Sequence, residues 1–186
     1  MGKIIYITGG VKSGKSLFAE TLIKKRYKKK IYLATAIPFD DEMKDRVKKH
    51  KKQRGEDWKT IEGYKNLYKI LETEIKGYEA ILLDCITNMV TNLMIINQKY
   101  DWDNISMEEV DFITEEIIFQ INSLINFIKE NNIDMVCVSN EVGMGLVPVT
   151  PLGRHFRDIG GKINQIVAKA SSEAYLLVSG LDIKLK

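Results

Sequence analysis

The sequence is poor in the residues that build disulfide frameworks and zinc sites. It contains two cysteines, Cys85 and Cys137, and each lies inside an apolar run. Single buried thiols are typical of a reducing compartment and exclude a disulfide scaffold. Its two histidines, His50 and His155, lack the spacing of zinc ligands. Both are therefore candidates for acid–base chemistry, since histidine is the side chain that most often titrates near neutral pH.

The sequence also lacks a strong charge excess and a long apolar run. Its formal net charge of +3 at pH 7 is too small to require a nucleic-acid partner. The most apolar helical stretch, IIFQINSLINFI, is interrupted by polar residues and cannot span a bilayer. The apolar run in MGKIIYITGG is too short for a secretory signal. We therefore predict a cytoplasmic protein with no membrane span and no nucleic-acid partner.

Short apolar runs alternate with helical patterns, and no repeat or proline- and glycine-rich linker interrupts them. Runs that are apolar nearly throughout are typical of strands covered on both faces. The predicted strands are 3–8, 30–35, 80–85, 134–139 and 174–179, with 182–186 as a candidate antiparallel edge strand. The predicted helices are 15–27, 40–53, 64–76, 88–98, 107–130 and 152–170. This alternation predicts one α/β domain over residues 1–186, a doubly wound, mainly parallel sheet flanked by helices.

A phosphate-binding motif follows the first predicted strand. The segment GGVKSGKS fits G-x-x-x-x-G-K-[ST] and opens the first predicted helix. Its glycines let backbone N–H groups surround a phosphate, and the helix N-terminus adds partial positive charge. Lys15 would reach the β- and γ-phosphates, and the Ser16 hydroxyl would hold Mg²⁺. The predicted nucleotide-binding residues are Gly9, Gly10, Val11, Lys12, Ser13, Gly14, Lys15 and Ser16. The fold is then a P-loop NTPase of the RecA-like type, but this motif leaves the acceptor open.

Asp84 ends the apolar run AILLD. An acid after four apolar residues is costly to bury unless it meets a cation or hydrogen-bond donors. A P-loop site also needs a carboxylate for magnesium at the end of a neighbouring strand. We therefore predict that Asp84 joins Ser16 as a Mg²⁺ ligand. The alternative is that Asp84 caps the helix that begins near Thr87.

The segment DDEMKDRVKKHKKQR is acidic at its start and basic at its end, which suits the dipole of a helix at about 40–54. The surrounding cations disfavour the protonated form of His50 and keep its ring neutral. A neutral imidazole among cations suits attack on a nucleotide α-phosphate. The alternative is a solvated surface helix in which His50 has no catalytic role, and the residues alone leave both open.

The whole chain resembles the bifunctional adenosylcobinamide kinase / adenosylcobinamide-phosphate guanylyltransferase family of cobalamin biosynthesis. Five segments carry this resemblance in order: GGVKSGKS, ATAIPFDDEMKDRVKKHKKQRGEDWKTIE, LLDCITNMVTNL, SNEVGMGLVPVTPLGRHFRDIGGKINQ and VSG. The resemblance implies phosphorylation of adenosylcobinamide by ATP or GTP. It then implies transfer of GMP from GTP to adenosylcobinamide phosphate through a guanylylated histidine. It also implies a homo-oligomer, with a trimer as one candidate.

Matching the family's motifs gives each role a position in this chain. The nucleophilic histidine, which follows DDEM and precedes a lysine, falls on His50. Beyond the P-loop, the implied nucleotide contacts are Ala34, Thr35, Ala36, Lys51, Lys52, Gln53, Arg54, Glu62 and Asp84. The family often has glutamate at the position of Asp84, so this chain has a shorter acid there. Many members also have an acid at the position of Val149, and we therefore assign Val149 no role.

The segment NEVGMG follows a predicted strand and so lies at the carboxyl edge of the sheet, where doubly wound folds bind ligands. Glu141 could support magnesium, accept the substrate's hydroxyl proton or orient a base, or it is simply an acid on a turn. Arg154 and Arg157, in the next helix, are candidates to contact phosphate, the corrin or a neighbouring subunit. His155 is the rival nucleophile, although the resemblance gives that role to His50.

Two other functions compete with this interpretation. The first is a monofunctional P-loop kinase that transfers no guanylyl group. The second is a non-catalytic nucleotide- or nucleic-acid-binding module that uses the basic stretches 24–30 and 44–54.

Overall fold

The computed structural model describes residues 1–37, 57–96 and 100–186. The predicted helix at 40–53 and the whole basic segment 44–54, with His50, Lys51, Lys52, Gln53 and Arg54, lie outside the described residues. The described residues form one seven-stranded sheet in the order β3-β2-β4-β5-β1-β6-β7. Its strands are β1 (Ile4–Gly9), β2 (Lys30–Ala34), β3 (Trp58–Glu62), β4 (Ala80–Asp84), β5 (Asp134–Asn140), β6 (Glu173–Val178) and β7 (Leu181–Lys184).

Helices cover both faces of this sheet. They are α1 (Lys15–Arg26), α2 (Leu67–Glu74), α3 (Ile86–Ile95), α4 (Met107–Glu130) and α5 (Pro151–Ala170). Ala19 and Ile23 of α1 pack with Ile5 and Ile7 of β1 on one face. Buried residues of α2, α3, α4 and α5 form a larger core on the other face. Ser106 and Glu109 form a capping box at the start of α4. No helix in the described ranges is long and apolar enough to cross a membrane.

The predicted doubly wound sheet is confirmed. All neighbouring strands are parallel except β6 and β7, which pair antiparallel at the C-terminal edge. Strand β3 was not predicted, because its sequence WKTIE lacks a continuous apolar run. It lies at the opposite edge of the sheet, and Ile61 is its one buried residue. An edge strand covered on fewer sides does not need the apolar run by which the central strands were identified.

An ion pair ties α1 to the sheet. Arg26, in the last turn of α1, donates two hydrogen bonds of 2.7 and 3.0 Å to the Glu173 carboxylate at the start of β6. The Tyr175 hydroxyl donates a third, 2.7 Å long, to the same carboxylate. The hydrogen bonds from Arg26 are the main reason that the pKa of Glu173 falls from 4.5 to about 2.

We expect Glu173→Gln to lower the unfolding temperature at pH 7 and to lower it much less near pH 2. Because folding lowers the pKa of Glu173, its contribution is complete above pH 4.5 and is lost as the pH falls towards 2. Thermal unfolding of wild type and variant at both pH values measures this. The control is Glu115→Gln, since Glu115 makes only an exposed 3.9 Å pair with Lys162. A Glu173→Gln effect of equal size at both pH values would contradict the assignment.

Candidate functional site

The P-loop connects β1 to α1, as the motif predicts. The backbone reverses through left-handed conformations at Lys12 (φ 60°) and Gly14 (φ 95°), and Gly14 immediately precedes the helix. The Ser13 N–H donates to the Gly10 carbonyl at 3.3 Å. The loop therefore brings backbone N–H groups and a helix N-terminus together, the arrangement that binds phosphate. A cavity of about 280 Å³ lies along its Lys12–Leu17 side.

Lys15 is held across this loop. Its Nζ donates to the Gly10 carbonyl at 2.9 Å, and only 8% of the residue is exposed. Burial lowers the pKa of Lys15, whereas the nearby Cys85 and Asp84 act in the opposite direction. Asp84 is therefore close enough to Lys15 to stabilise its positive charge. Burial nevertheless has the larger effect on the pKa of Lys15, beside the phosphate-binding loop.

Asp84 does not cap the following helix. Helix α3 is capped by Cys85, whose Sγ accepts from the Asn88 N–H at 3.4 Å. The Asp84 carboxylate instead accepts a 3.0 Å hydrogen bond from the Tyr32 hydroxyl. The capping alternative for Asp84 is thus wrong, since its carboxylate bonds to Tyr32 of β2 and Cys85 caps the helix.

The other sequence-predicted positions lie at the same edge of the sheet. Ala34 ends β2 and is in register with Glu62 of β3 on one side and with Asp84 of β4 on the other. Gly9 ends β1 and is in register with Asn140 of β5. The carboxyl ends of these parallel strands therefore bring together segments that are far apart in the chain.

Thr35 has a structural task that the sequence did not indicate. It is 1% exposed, and its hydroxyl donates to the Cys85 carbonyl at 2.6 Å and accepts from the Cys85 N–H at 2.8 Å. Its own carbonyl accepts from the Asn92 side chain at 2.6 Å. These bonds fix the backbone directly after Asp84, while Ala36 is partly exposed just beyond. Thr35 thus positions the β4–α3 junction.

The hairpin formed by β6 and β7 contacts the P-loop through its turn. Ser179 (φ 52°) and Gly180 (φ 86°) form its turn, and the Gly180 N–H donates to the Ser13 carbonyl at 2.9 Å. A Cβ on Gly9 would lie 2.5 Å from the Leu177 carbonyl oxygen and 2.7 Å from the Ser13 Oγ. The loop and the hairpin are therefore too close for a side chain at Gly9. The only sequence signal for this contact is the Ser-Gly dipeptide between two strands.

A polar network of buried and partly buried side chains lies at the end of β5. The Ser139 hydroxyl donates to the Asn164 side-chain oxygen at 2.6 Å, and the Asn164 amide donates to the Asn140 carbonyl at 3.1 Å. The Asn140 N–H in turn donates to the Thr87 hydroxyl at 2.6 Å. Because α3, β5 and α5 each contribute a residue, this network holds the next residue, Glu141, at a defined position.

Glu141 lies on the rim of a second cavity, of about 300 Å³. Its N–H donates to the Gly9 carbonyl at 3.0 Å, and its Oε1 accepts from the Gly143 N–H at 2.8 Å. The same cavity is lined by Gly10, Val11, Lys12 and Ser13. Glu141 is therefore beside the P-loop rather than on a remote turn.

The two arginines of α5 have different surroundings. The Arg154 Nη1 donates to the carbonyls of Val149 at 2.6 Å and Pro148 at 3.3 Å, so its guanidinium holds the preceding loop. The Arg157 Nη1 is buried and has no hydrogen-bond partner among the described residues. His155 lies beside Trp102, with 6.2 Å between ring centres. These contacts give Arg154 a positioning role and place His155 in an aromatic cluster.

Two glycines of α5 should respond oppositely to alanine. A Cβ at Gly153 would lie 2.6 Å from the Pro148 Cβ, whereas one at Gly161 would have no described atom outside the helix's own backbone within 4 Å. We expect Gly161→Ala to stabilise the fold by about 0.5–1 kcal/mol, through helix propensity. Gly153→Ala should destabilise it by about 1–3 kcal/mol, through overpacking. Urea unfolding of both variants tests this pair, and equal stabilisation by both would contradict the close packing of Pro148.

Comparisons with known proteins bear on what this site does. A model of the family described as "Cobinamide kinase / cobinamide phosphate guanyltransferase" matches residues 5–185. The chain is 41% identical to the bifunctional adenosylcobalamin biosynthesis protein CobU of Escherichia coli, over 98% of this chain and 99% of that protein. It is 31% identical to the bifunctional adenosylcobalamin biosynthesis protein CobP of Pseudomonas aeruginosa, over 97% of this chain and 95% of that protein.

Among solved structures, a KaiC-like protein from Pyrococcus horikoshii superposes with a TM-score of 0.54. The two sequences are 11% identical, and the match covers 94% of this chain and 72% of that chain. This similarity therefore shows the fold alone. Its likeness agrees with the predicted P-loop NTPase architecture. The family match, by contrast, covers nearly the whole chain and includes every strand that carries the site. With its P-loop and full-length relatives, the chain belongs to the cobinamide kinase / cobinamide phosphate guanyltransferase family.

Proposed function

We propose that this chain phosphorylates adenosylcobinamide with a nucleoside triphosphate and then transfers GMP from GTP to the resulting phosphate. The observation that carries this proposal is Lys15, which is buried across the P-loop and bonded to the Gly10 carbonyl. This geometry suits a nucleotide whose phosphates change charge during reaction. Family membership supplies the acceptor and the second reaction.

In the kinase step, the primary hydroxyl of adenosylcobinamide attacks the γ-phosphorus. The bond from that phosphorus to the β–γ bridging oxygen breaks, and the nucleoside diphosphate leaves with the electron pair. Lys15 stabilises negative charge on the β- and γ-phosphate oxygens. Glu141, on the rim of the cavity beside the P-loop, is our candidate to accept the hydroxyl proton.

Ser16 and Asp84 fit a Mg²⁺ ion as its protein ligands. Both offer hard oxygen atoms and both are partly exposed; Ser16 is the second residue of α1, directly after the P-loop, and Asp84 ends β4. Magnesium usually takes one or two protein oxygens and completes its shell with phosphate and water. When bound, the ion would neutralise charge on the β- and γ-phosphates.

In the guanylyl-transfer step, a ring nitrogen of His50 attacks the α-phosphorus of GTP. A phosphorus–nitrogen bond forms, the bond to the β-phosphate breaks, and pyrophosphate leaves. An oxygen of adenosylcobinamide phosphate then attacks the same phosphorus, and the phosphorus–nitrogen bond returns its electrons to the imidazole. We propose that the basic segment from Lys51 to Arg54 and the carboxylate of Glu62 contact the guanine nucleotide in this step.

GTP labelled on its α-phosphate, supplied without any corrinoid, tests this function. We expect a covalent protein label that is acid-labile and alkali-stable, with release of pyrophosphate. GTP labelled on its γ-phosphate is the control and should leave no label, because that phosphate departs. Kinase activity on adenosylcobinamide without any α-phosphate label would instead indicate a monofunctional kinase. A cytoplasmic location and a homo-oligomer, with a trimer as one candidate, stay predictions that fractionation and a solution mass would test.

A further inference from the structure

An uncharged, apolar loop stands beside the nucleotide site. Residues 142–149, VGMGLVPV, contain no charged or polar side chain; we call this segment the apolar loop. Its tips are open to solvent, since Met144 is 81%, Leu146 96% and Val149 92% exposed. Contiguous exposed apolar side chains are unfavourable in water and commonly mark a binding surface.

The apolar loop is fixed at both ends. At its start, the Glu141 N–H donates to the Gly9 carbonyl at 3.0 Å, and the Gly143 N–H donates to the Glu141 carboxylate at 2.8 Å. At its end, Arg154 donates to the Val149 carbonyl at 2.6 Å, and Pro148 packs where a Cβ on Gly153 would not fit. The apolar side chains are therefore presented by an ordered backbone, which lowers the entropy lost on binding.

The loop is continuous with the cavity beside the P-loop. Met144 lines the same cavity of about 300 Å³ as Val11, Ser13 and Glu141. Val11 is itself 83% exposed and extends the apolar surface onto the P-loop. A ligand lying on the apolar loop could thus send one arm directly towards the phosphate-binding residues.

We propose that the apolar loop binds the corrin ring of adenosylcobinamide, while the aminopropanol arm enters the cavity beside the P-loop. This inference rests on the proposed function. A nucleotide phosphate needs positive charge, which the loop lacks, whereas a corrin offers a broad surface rich in methyl and methylene groups. The ring is also too large for the cavity, so it must lie on an open surface next to the reacting arm.

Steady-state kinase kinetics with the double variant Met144→Ser, Leu146→Ser test this inference. We expect the KM for adenosylcobinamide to rise by about tenfold or more, as for the loss of apolar contacts in a binding pocket. The KM for GTP and the covalent label from α-labelled GTP should stay at wild-type values. The matched control is Phe112→Ser, Phe119→Ser on α4, whose side chains are 63% and 55% exposed, and it should change neither KM.

Four results would overturn the inference. An unchanged KM for adenosylcobinamide in the loop variant, with normal wild-type turnover, refutes corrin binding but leaves the proposed function intact. If the KM for GTP of the loop variant rose as much as its KM for adenosylcobinamide, the apolar loop would belong to the nucleotide site. If the variant had a lower solution mass and unchanged KM values, the apolar loop would contact a second copy of the chain. Wild-type protein that does not turn over adenosylcobinamide refutes the proposed function and this inference together.

Discussion

His50→Ala is expected to abolish transfer of GMP while leaving phosphorylation of adenosylcobinamide near the wild-type rate. Removing a covalent nucleophile deletes the intermediate itself, so guanylyl transfer should fall by roughly a thousandfold or more. The kinase step needs no covalent intermediate and depends on Lys15 and the P-loop instead. The variant should therefore accumulate adenosylcobinamide phosphate. Chromatography of the corrinoid products from wild type and variant measures both reactions in one assay.

His155→Ala is the matched control for this variant. His155 is the other histidine of the chain, and it lies on α5 beside the Trp102 ring. We expect the His155→Ala protein to take the α-phosphate label from GTP and to form both products. Retention of the label in His50→Ala, or its loss in His155→Ala alone, would move the nucleophile away from His50.

Lys15→Met should lower both reactions, because both use the triphosphate held at the P-loop. The Lys15 ammonium is held 2.9 Å from the Gly10 carbonyl oxygen, so it is positioned before the substrate arrives. Loss of one preorganised electrostatic contact to the transition state typically lowers kcat by about 10²–10³. Methionine keeps an unbranched apolar stem in the buried part of the site. Kinase kcat and the rate of labelling by α-labelled GTP should both fall.

The control for Lys15→Met is Lys25→Met, which removes the same charge from the exposed end of the same helix. Its two rates should match those of the wild type. Thermal unfolding of both variants shows whether each has kept its fold. A folded Lys15→Met protein with wild-type kinase kcat would remove Lys15 from the reaction.

Much of the fold was predictable because central parallel strands are buried on both faces and so appear as apolar runs. The strand–loop–helix context of GGVKSGKS correctly placed the P-loop, and the acid after AILL correctly marked the end of β4. Strand β3 was not predicted, because only Ile61 of its five residues is buried. Where apolar burial is partial, the pattern that identifies a strand fades.

The contacts that position the site could not be predicted in the same way. Thr35 bonds to Cys85, 50 residues along the chain, and the Ser139 hydroxyl bonds to Asn164, 25 residues away. Such side-chain bonds follow from the sheet order and leave no local periodicity. The sequence suggested that Asp84 could cap α3, yet Cys85 does so, because the helix begins one residue after it. The acceptor substrate was accessible only through the family resemblance, since a P-loop serves many reactions.

The most direct test of the bifunctional activity is product analysis with purified protein, adenosylcobinamide and GTP, followed over time. We predict that adenosylcobinamide phosphate forms first and is then converted to adenosylcobinamide-GDP, with one pyrophosphate released for each molecule converted. Accumulation of the phosphate as the final product, with no pyrophosphate released at any GTP concentration, would contradict the account.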